Sequence, residues 1–401
     1  MSFISIQGAI LGIVSCILAS GIFLNYYFKK MRKNNDKKAR FNSLPKHYSY
    51  CFCLWLVIFF IGILFLEISI LLKLIFLSIF IIGNFFLIRL AYLKNFNAKK
   101  HFESANIALL ALTAMFGIGI TIAITLIIFS ESLKFFQLVN VNDFLFSLSW
   151  NPQMAITSEQ EVAQSSFGIA PVFLGTLLIT LIAMAVAIPI GIISAIYLGM
   201  YAKSSTRNIL KPLIEILAGV PTVVYGYFAV IGIAPFFKNF FAIFNVSIST
   251  ESALATGFVM GIMIIPFILS LTDDAIATVP QSLRDGALAL GSTKSEMIKK
   301  VIIPSAMPSI VGAIILAISR AIGETMIVVM SAGLVAKLTF NPLDSVTTAT
   351  AQIVTLLVGD QEFNSPKTLS AFALALALFI FTFILNVIAL GVIKNYKKKY
   401  S

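Results

Sequence analysis

The sequence predicts an all-α integral membrane protein, and three observations carry that reading. Of its 401 residues, 59% are hydrophobic and only 11% are charged, whereas an ordinary soluble domain carries about 25% charged residues. Apolar runs recur along the whole chain, many of them reaching the length of about 20 residues that a bilayer span requires. Lys and Arg gather in short segments between those runs, which is how orientation is set in a membrane. The net charge of +12 is therefore a topology signal, and its placement argues against a nucleic-acid partner.

Taken in order, the apolar runs predict nine spans, at residues 4–27, 49–66, 70–92, 106–130, 171–200, 210–237, 252–272, 307–334 and 368–393. The break between the second and third is short and still apolar, so a single re-entrant hairpin is the alternative there. The basic segments 29–46, 94–100, 203–211 and 394–399, with the polar loop 273–304, then fall on one side. The positive-inside rule makes that side cytoplasmic. It places the N-terminus, 67–73, 131–168, 238–251 and 337–367 outside, with the C-terminus inside. The first run is followed, not preceded, by its basic cluster and ends in no A-x-A-like site, so it reads as an uncleaved span. Cys16, Cys51 and Cys53 lack partners at metal-ligand spacing and read as plain thiols. His47 and His101 lie in basic loops and read as solvated. Trp55 and Trp150 fall near span ends, as aromatic-belt residues do. Residues 1–104 hold three spans and no sharp motif, and read as an accessory membrane region. Residues 105–401 hold six spans and the motifs, and read as the transport core.

The most informative polar segment is 285–304, DGALALGSTKSEMIKKVIIP. Residues 280–291, which overlap its start, predict a short helix with Ser282 as N-cap and Leu283, Ala287 and Leu290 on an apolar face. Gly291 would end that helix, and Pro304 would open the next span from its first turn. A bare apolar face in such a loop wants a partner surface, or else lies on the membrane. The segment resembles the EAA loop of ABC importer permeases, E-A-A-x-x-x-G-x(9)-I-x-L-P. Asp285 stands for the Glu, Gly286 and Ala287 for the Ala pair, Gly291 for the Gly, and Val301, Ile303 and Pro304 close the pattern. The resemblance implies docking on a cytoplasmic ATPase. The chain has no G-x-x-x-x-G-K-[ST] pattern of its own.

A second motif lies in the eighth run, Arg320-Ala321-Ile322-Gly323-Glu324-Thr325. An Arg inside a span costs about 2.5–3.5 kcal/mol on insertion scales, so it needs a use. A continuous helix would put Arg320 and Glu324 on one face, one turn apart. Either Arg320 offers its fork of donors to an anion with Glu324 as the competing partner, or the two form a fixed structural pair. Pro189 with Gly191, and Gly219 with Pro221, interrupt apolar runs, as hinges, cavity-lining backbone and packing kinks all do. Segment 166–168 before the fifth run reads as a plain loop or as part of an outer docking surface.

RAIGET resembles the signature of the Pst-type phosphate permeases. So do 167–198, FGIAPVFLGTLLITLIAMAVAIPIGIISAIYL, and 210–228, LKPLIEILAGVPTVVYGYF, with Glu215, Pro221, Tyr225 and Gly226 in place. The large segment before FGIAP is similar to the C-subunit of that permease pair. The resemblance implies a type I ABC importer fold with a six-helix core and about three extra N-terminal spans, in the bacterial inner membrane. It implies a homologous second permease subunit, an ATPase dimer that uses ATP and Mg, and a periplasmic phosphate-binding protein. Arg320, Glu324 and Thr325 would line the pathway, and this chain would hold no cofactor and be no enzyme by itself. Sulfate or molybdate import, the sister phosphate subunit, and a partner-independent channel or carrier are the alternatives.

Overall fold

The computed structural model describes residues 98–154, 166–358 and 365–400. The three N-terminal spans, the 29–46 loop, the cysteines, His47 and Trp55 lie outside the described residues. The described helices are α1 (Ala98–Leu138), α2 (Val141–Phe146), α3 (Ala170–Ile196), α4 (Ser204–Ala218), α5 (Thr222–Phe228), α6 (Ala234–Ala242), α7 (Ala253–Ala277), α8 (Gln281–Ala289), α9 (Lys294–Met297), α10 (Ile303–Ile322), α11 (Met326–Ser331), α12 (Ala349–Leu357) and α13 (Pro366–Tyr400). The border between two compact units, Met1–Ala123 and Ile124–Ser401, falls inside α1. The contacts described below lie within the second unit.

Six described stretches are long and apolar enough to cross a membrane: Asn106–Leu138, Ala170–Tyr201, Thr222–Ala242, Ala253–Ala277, Lys294–Ile322 and Pro366–Lys394. Six were expected after residue 105, and two of them shift. The run at 210–237 is divided, because α4 ends at Gly219, Pro221 starts α5, and the span proper begins at Thr222. The run at 307–334 starts earlier and stops earlier, since helix already runs from Lys294 and ends at Ile322. Pro304 is therefore not the opening of a span. It follows a π-helical segment, Ile298–Ile302, in which the Ile303 N–H reaches back to the Ile298 carbonyl. A second π segment, Ala229–Ile233, precedes Pro235 in the same way. A proline in a helix lacks an N–H and its ring meets the carbonyl four residues back. The wider turn just before each proline absorbs that misfit without ending the span.

The centre of the bundle is the α3–α7 contact, made close by small residues. A Cβ on Gly257 would lie 2.7 Å from Ile182 Cβ, one on Gly261 2.9 Å from the Ala183 carbonyl oxygen, and one on Gly191 2.8 Å from Ile268 Cγ2. Gly257 and Gly261 are four apart, the spacing that lets membrane helices approach by van der Waals packing. Ile179, Ala183, Met260, Ile264 and Ile268 are buried around them. The outer surface stays apolar, with Leu181 on α3 and Phe379 and Phe383 on α13 exposed.

A second cluster gathers Phe135, Phe144 and Phe167, with ring centroids 5.5 and 5.3 Å apart in edge-to-face contact. Trp150 belongs to it. The aromatic-belt reading fails here, because Trp150 is only 3% exposed and donates from Nε1 to Gln352 Oε1 at 3.0 Å. Gln352 in turn donates to Thr347 Oγ1 at 3.1 Å and to the Leu334 carbonyl at 3.2 Å. Its amide thus satisfies the indole where water has no access. Phe167 and Gly168 are buried in the same corner, with the Gly168 N–H donating to Ser149 O at 2.8 Å.

Candidate functional site

The polar loop forms a stiff corner. Span α7 ends at Ala277, three residues turn, and α8 begins. Its entry residue is Pro280 in an extended conformation with no side-chain cap. Ser282 lies inside the helix, so the expected cap is displaced: the proline ring already fixes the entry. The exit has the expected glycine. Gly291 adopts φ +82°, its N–H donates to Leu288 O at 3.0 Å, and the Ser292 N–H donates to Ala287 O at 3.2 Å. These two bonds make a Schellman stop. Two residues later a capping box restarts the chain as α9. The Thr293 hydroxyl accepts from the Glu296 N–H at 3.3 Å, and Glu296 accepts from the Thr293 N–H at 3.0 Å. This box was legible as T-x-x-E before an apolar run and escaped the sequence reading.

The expected apolar face divides. Ala287 is turned inward against Val279, Met297, Ile298 and Ile302. Leu283 is 45% and Leu290 89% exposed, with Leu288 exposed beside them. Leu290 leaves the helical face because α8 ends at Ala289. Asp285 accepts from Gln281 at 3.0 Å, and no atom lies within 4 Å of a Cβ built on Gly286. Arg284 donates to the Ile276 carbonyl at 2.7 Å and so ties α8 to the last turn of α7.

The RAIGET segment departs from the expected helix. α10 ends at Ile322, Gly323 caps it, and the chain turns into α11. The break removes the i, i+4 relation, and Arg320 and Glu324 do not pair among the described residues. Glu324 Oε1 instead accepts from the N–H groups of Met326 and Ile327 at 3.1 and 3.4 Å, covering the start of α11. The Thr350 hydroxyl donates to the Glu324 carbonyl at 2.7 Å, and Thr325 donates to the Gly323 carbonyl at 3.3 Å. Arg320 is exposed on the flank of α10, its guanidinium 5.5 Å from the Phe267 ring centre and 3.9 Å from Met263 Sδ. Cation–π and sulfur contacts hold the group in place without neutralising it.

The remaining predicted positions separate by role. Pro189 sits inside α3, which runs on to Ile196. Gly191 makes the close approach to α7 described above. Gly219 and Pro221 mark a true break, and Tyr225 bridges it by donating to the Leu217 carbonyl at 2.7 Å, satisfying a helix-end acceptor. Sequence reasoning did not join Asp273 to its partners. Asp273 is buried and accepts from Arg207 at 2.8 and 3.0 Å and from Lys211 at 2.7 Å. The Asp273 hydrogen bond holds the Lys211 ammonium above its ordinary range, against the opposing effect of burial. Arg207 and Lys211 are one turn apart on α4, but nothing local could reveal a carboxylate more than sixty residues away.

A bundle of helices long and apolar enough to cross a membrane, with a stiff polar corner at one end and an exposed Arg on its flank, has the form of a multi-pass membrane protein. The chain belongs to the family of binding-protein-dependent transport system inner membrane components, whose model matches residues 187–400. It is 33% identical over 273 residues to the "Probable ABC transporter permease protein YqgH" of Bacillus subtilis (strain 168), covering 68% of this chain and 84% of that protein. To the phosphate transport system permease protein PstC of Mesorhizobium japonicum it is 32% identical over 264 residues, covering 61% of this chain and 76% of that protein. A crystal structure of a bacterial alginate ABC transporter covers 71% of this chain and 93% of its own matched chain, at 13% identity and a TM-score of 0.49.

Proposed function

We propose that this chain is the membrane-spanning subunit of an ATP-driven importer of inorganic phosphate. It works in the bacterial inner membrane beside a homologous permease subunit. A periplasmic phosphate-binding protein delivers the anion, and a cytoplasmic ATPase dimer supplies ATP and Mg chemistry that this chain lacks. The corner at α8 faces the ATPase, with Leu283, Leu288 and Leu290 as its free apolar contacts, the N-terminus outside and the C-terminus inside. The observation that carries the substrate is Arg320, a cation on the flank of an apolar span with no carboxylate partner among the described residues. A guanidinium offers several donors to a tetrahedral oxyanion, and relatives 31–32% identical to this chain bear the name phosphate transport system permease protein. Glu324 serves as the cap that fixes the turn behind Arg320, in place of the competitor role expected from an unbroken helix. The test is ATP-dependent uptake of labelled phosphate by the complex reconstituted with its ATPase and binding protein, with sulfate and molybdate as competitors. Saturable uptake displaced by unlabelled phosphate and not by the other two is expected. Uptake that sulfate or molybdate displaces equally well overturns the assignment.

A further inference from the structure

We propose that the junction of α4, α7 and α8 holds a second oxyanion site, for a phosphate-type anion, separate from Arg320. A cavity of about 320 Å³ lies there, lined among others by Arg207, Asp273, Ala277, Thr278, Gln281 and Arg284. Arg320 meets α7 at Met263 and Phe267, whereas the cavity begins six residues beyond Phe267, about 9 Å further along the helix.

The charge balance favours an anion. Asp273 faces the cavity and would by itself repel one, but it is answered twice, by Arg207 and Lys211. Asp274 lies 3.8 Å from Lys211 and is mostly exposed, 69% by side chain, where solvent screens it. Arg284 adds a third cation. Its Nη2 is committed to the Ile276 carbonyl, but its Nε–H is buried without an acceptor among the described residues. A buried guanidinium donor without a partner is uncommon and calls for one. Arg207 uses only Nη2 on Asp273, leaving the rest of its fork, and its side chain is 36% exposed. Two guanidinium groups converging on one cavity suit a tetrahedral anion with several acceptor oxygens. Such an anion would join α4 to α8 and so stiffen the corner proposed to meet the ATPase. That consequence rests on the coupling reading; binding itself does not.

Two sources share this chemistry: free inorganic phosphate, and the headgroup phosphate of an anionic lipid. The second is open because α4 is amphipathic, with Ile209, Leu213 and Ile216 exposed. The assembled complex is placed in phosphatidylcholine nanodiscs, and bound labelled inorganic phosphate is counted at equilibrium. A parallel set of discs contains phosphatidylglycerol and no free phosphate, and retained lipid is counted by native mass spectrometry. Arg284→Gln removes the unpartnered donor. Ala277→Leu fills the cavity from an exposed lining position and keeps both guanidinium groups, so it serves even where Arg284→Gln fails to assemble. The parent is expected to hold one more phosphate-type anion per copy than Ala277→Leu, bound at least tenfold more tightly, with Arg284→Lys between parent and Arg284→Gln. A difference in the first set assigns the site to free phosphate; a difference confined to the second assigns it to lipid. Equal binding by parent and Ala277→Leu in both sets overturns the proposal. Every variant keeps Arg320, so a pathway anion cancels in the comparison, and failure here leaves the import reading untouched.

Discussion

At the scale of single residues, the departure of Glu324 from Arg320 changes what each substitution does. With no carboxylate paired to it among the described residues, Arg320 can meet the anion, as proposed, or the partner subunit. A charge-assisted hydrogen bond is worth about 1.5–3 kcal/mol, so Arg320→Gln should lower uptake at limiting phosphate by about 10- to 100-fold. Arg320→Lys should recover only part of it, because the charge stays while the fork is lost. Uptake normalised to assembled complex decides the matter: a loss that merely tracks abundance would assign Arg320 to structure alone. Glu324→Gln keeps an oxygen that can accept from Met326 and Ile327, so it should cost less than the about 1 kcal/mol of a deleted cap and leave the preference among anions unchanged, which competition assays check. A second carboxylate makes a prediction in pH. The Lys337 hydrogen bond, followed by that of Thr339, holds Asp344 below its ordinary carboxylate range. A depressed value means that the loop stabilisation is complete above the unfolded-state value and is lost as pH falls through the folded one. The 337–344 loop should therefore keep its clasp at neutral pH and loosen only in acid. Amide exchange at Asn341 and Leu343, compared at each pH with Asp344→Asn, tests this. Equal protection of parent and variant at neutral pH contradicts it.

At the scale of elements, the corner at α8 shows which part of a motif is structural and which is free. Gly291 holds a left-handed turn that costs other residues about 1–2 kcal/mol, although a Cβ there would meet nothing within 4 Å. Thr293→Ala removes the capping box at a cost of about 1 kcal/mol. Gly291→Val and Thr293→Ala should thus loosen the corner by backbone effects and raise ATP hydrolysed per phosphate imported, while the spans stay assembled. Ala287→Arg acts elsewhere: it forces a charge among Val279, Met297 and Ile298 and should lower abundance. Leu283→Ser with Leu290→Ser is the clean test of docking, since both side chains are exposed. Stability should be unchanged and co-purification with the ATPase reduced; unchanged co-purification and full uptake sink the coupling role. The Gly291 stop was legible because a left-handed C-terminus has a residue preference. The inward turn of Ala287 was not, because periodicity gives a face without saying what lies opposite it. The Arg207–Lys211–Asp273 cluster was illegible for a related reason, as tertiary partners leave no local spacing.

At the scale of the whole molecule, the six described spans were visible as hydropathy, since each must bury its backbone polar groups within itself to cross lipid. Their ends were less legible: Gly323 ends a helix in a run that stays apolar beyond it, and the π segments let prolines sit inside spans. Trp150 misled because an aromatic near a span end satisfies both a belt and a core, and only Gln352 distinguishes them. The helix α7 converts this architecture into a topology. Its 25 residues rise about 38 Å, more than the hydrocarbon core of about 30 Å, so as a span it would bring its ends out on opposite faces. At its start the Ala253 and Leu254 N–H groups donate to Asp344 and Pro342, fastening the 337–344 loop there; at its other end it runs into α8. Whatever the count of N-terminal spans, a crossing α7 would put that loop and α8 on opposite sides. The proposed orientation rests on the excess of Lys and Arg: 203–211 and 294–300 share the α8 end, as expected of a cytoplasmic face. A single cysteine at Phe340→Cys, an exposed loop position, should react with an impermeant maleimide added to intact cells, and Ser282→Cys only after the membrane is opened. Reversed reactivity inverts the orientation and removes α8 from reach of a cytoplasmic ATPase. Reactivity of both from one side contradicts the crossing of α7 itself.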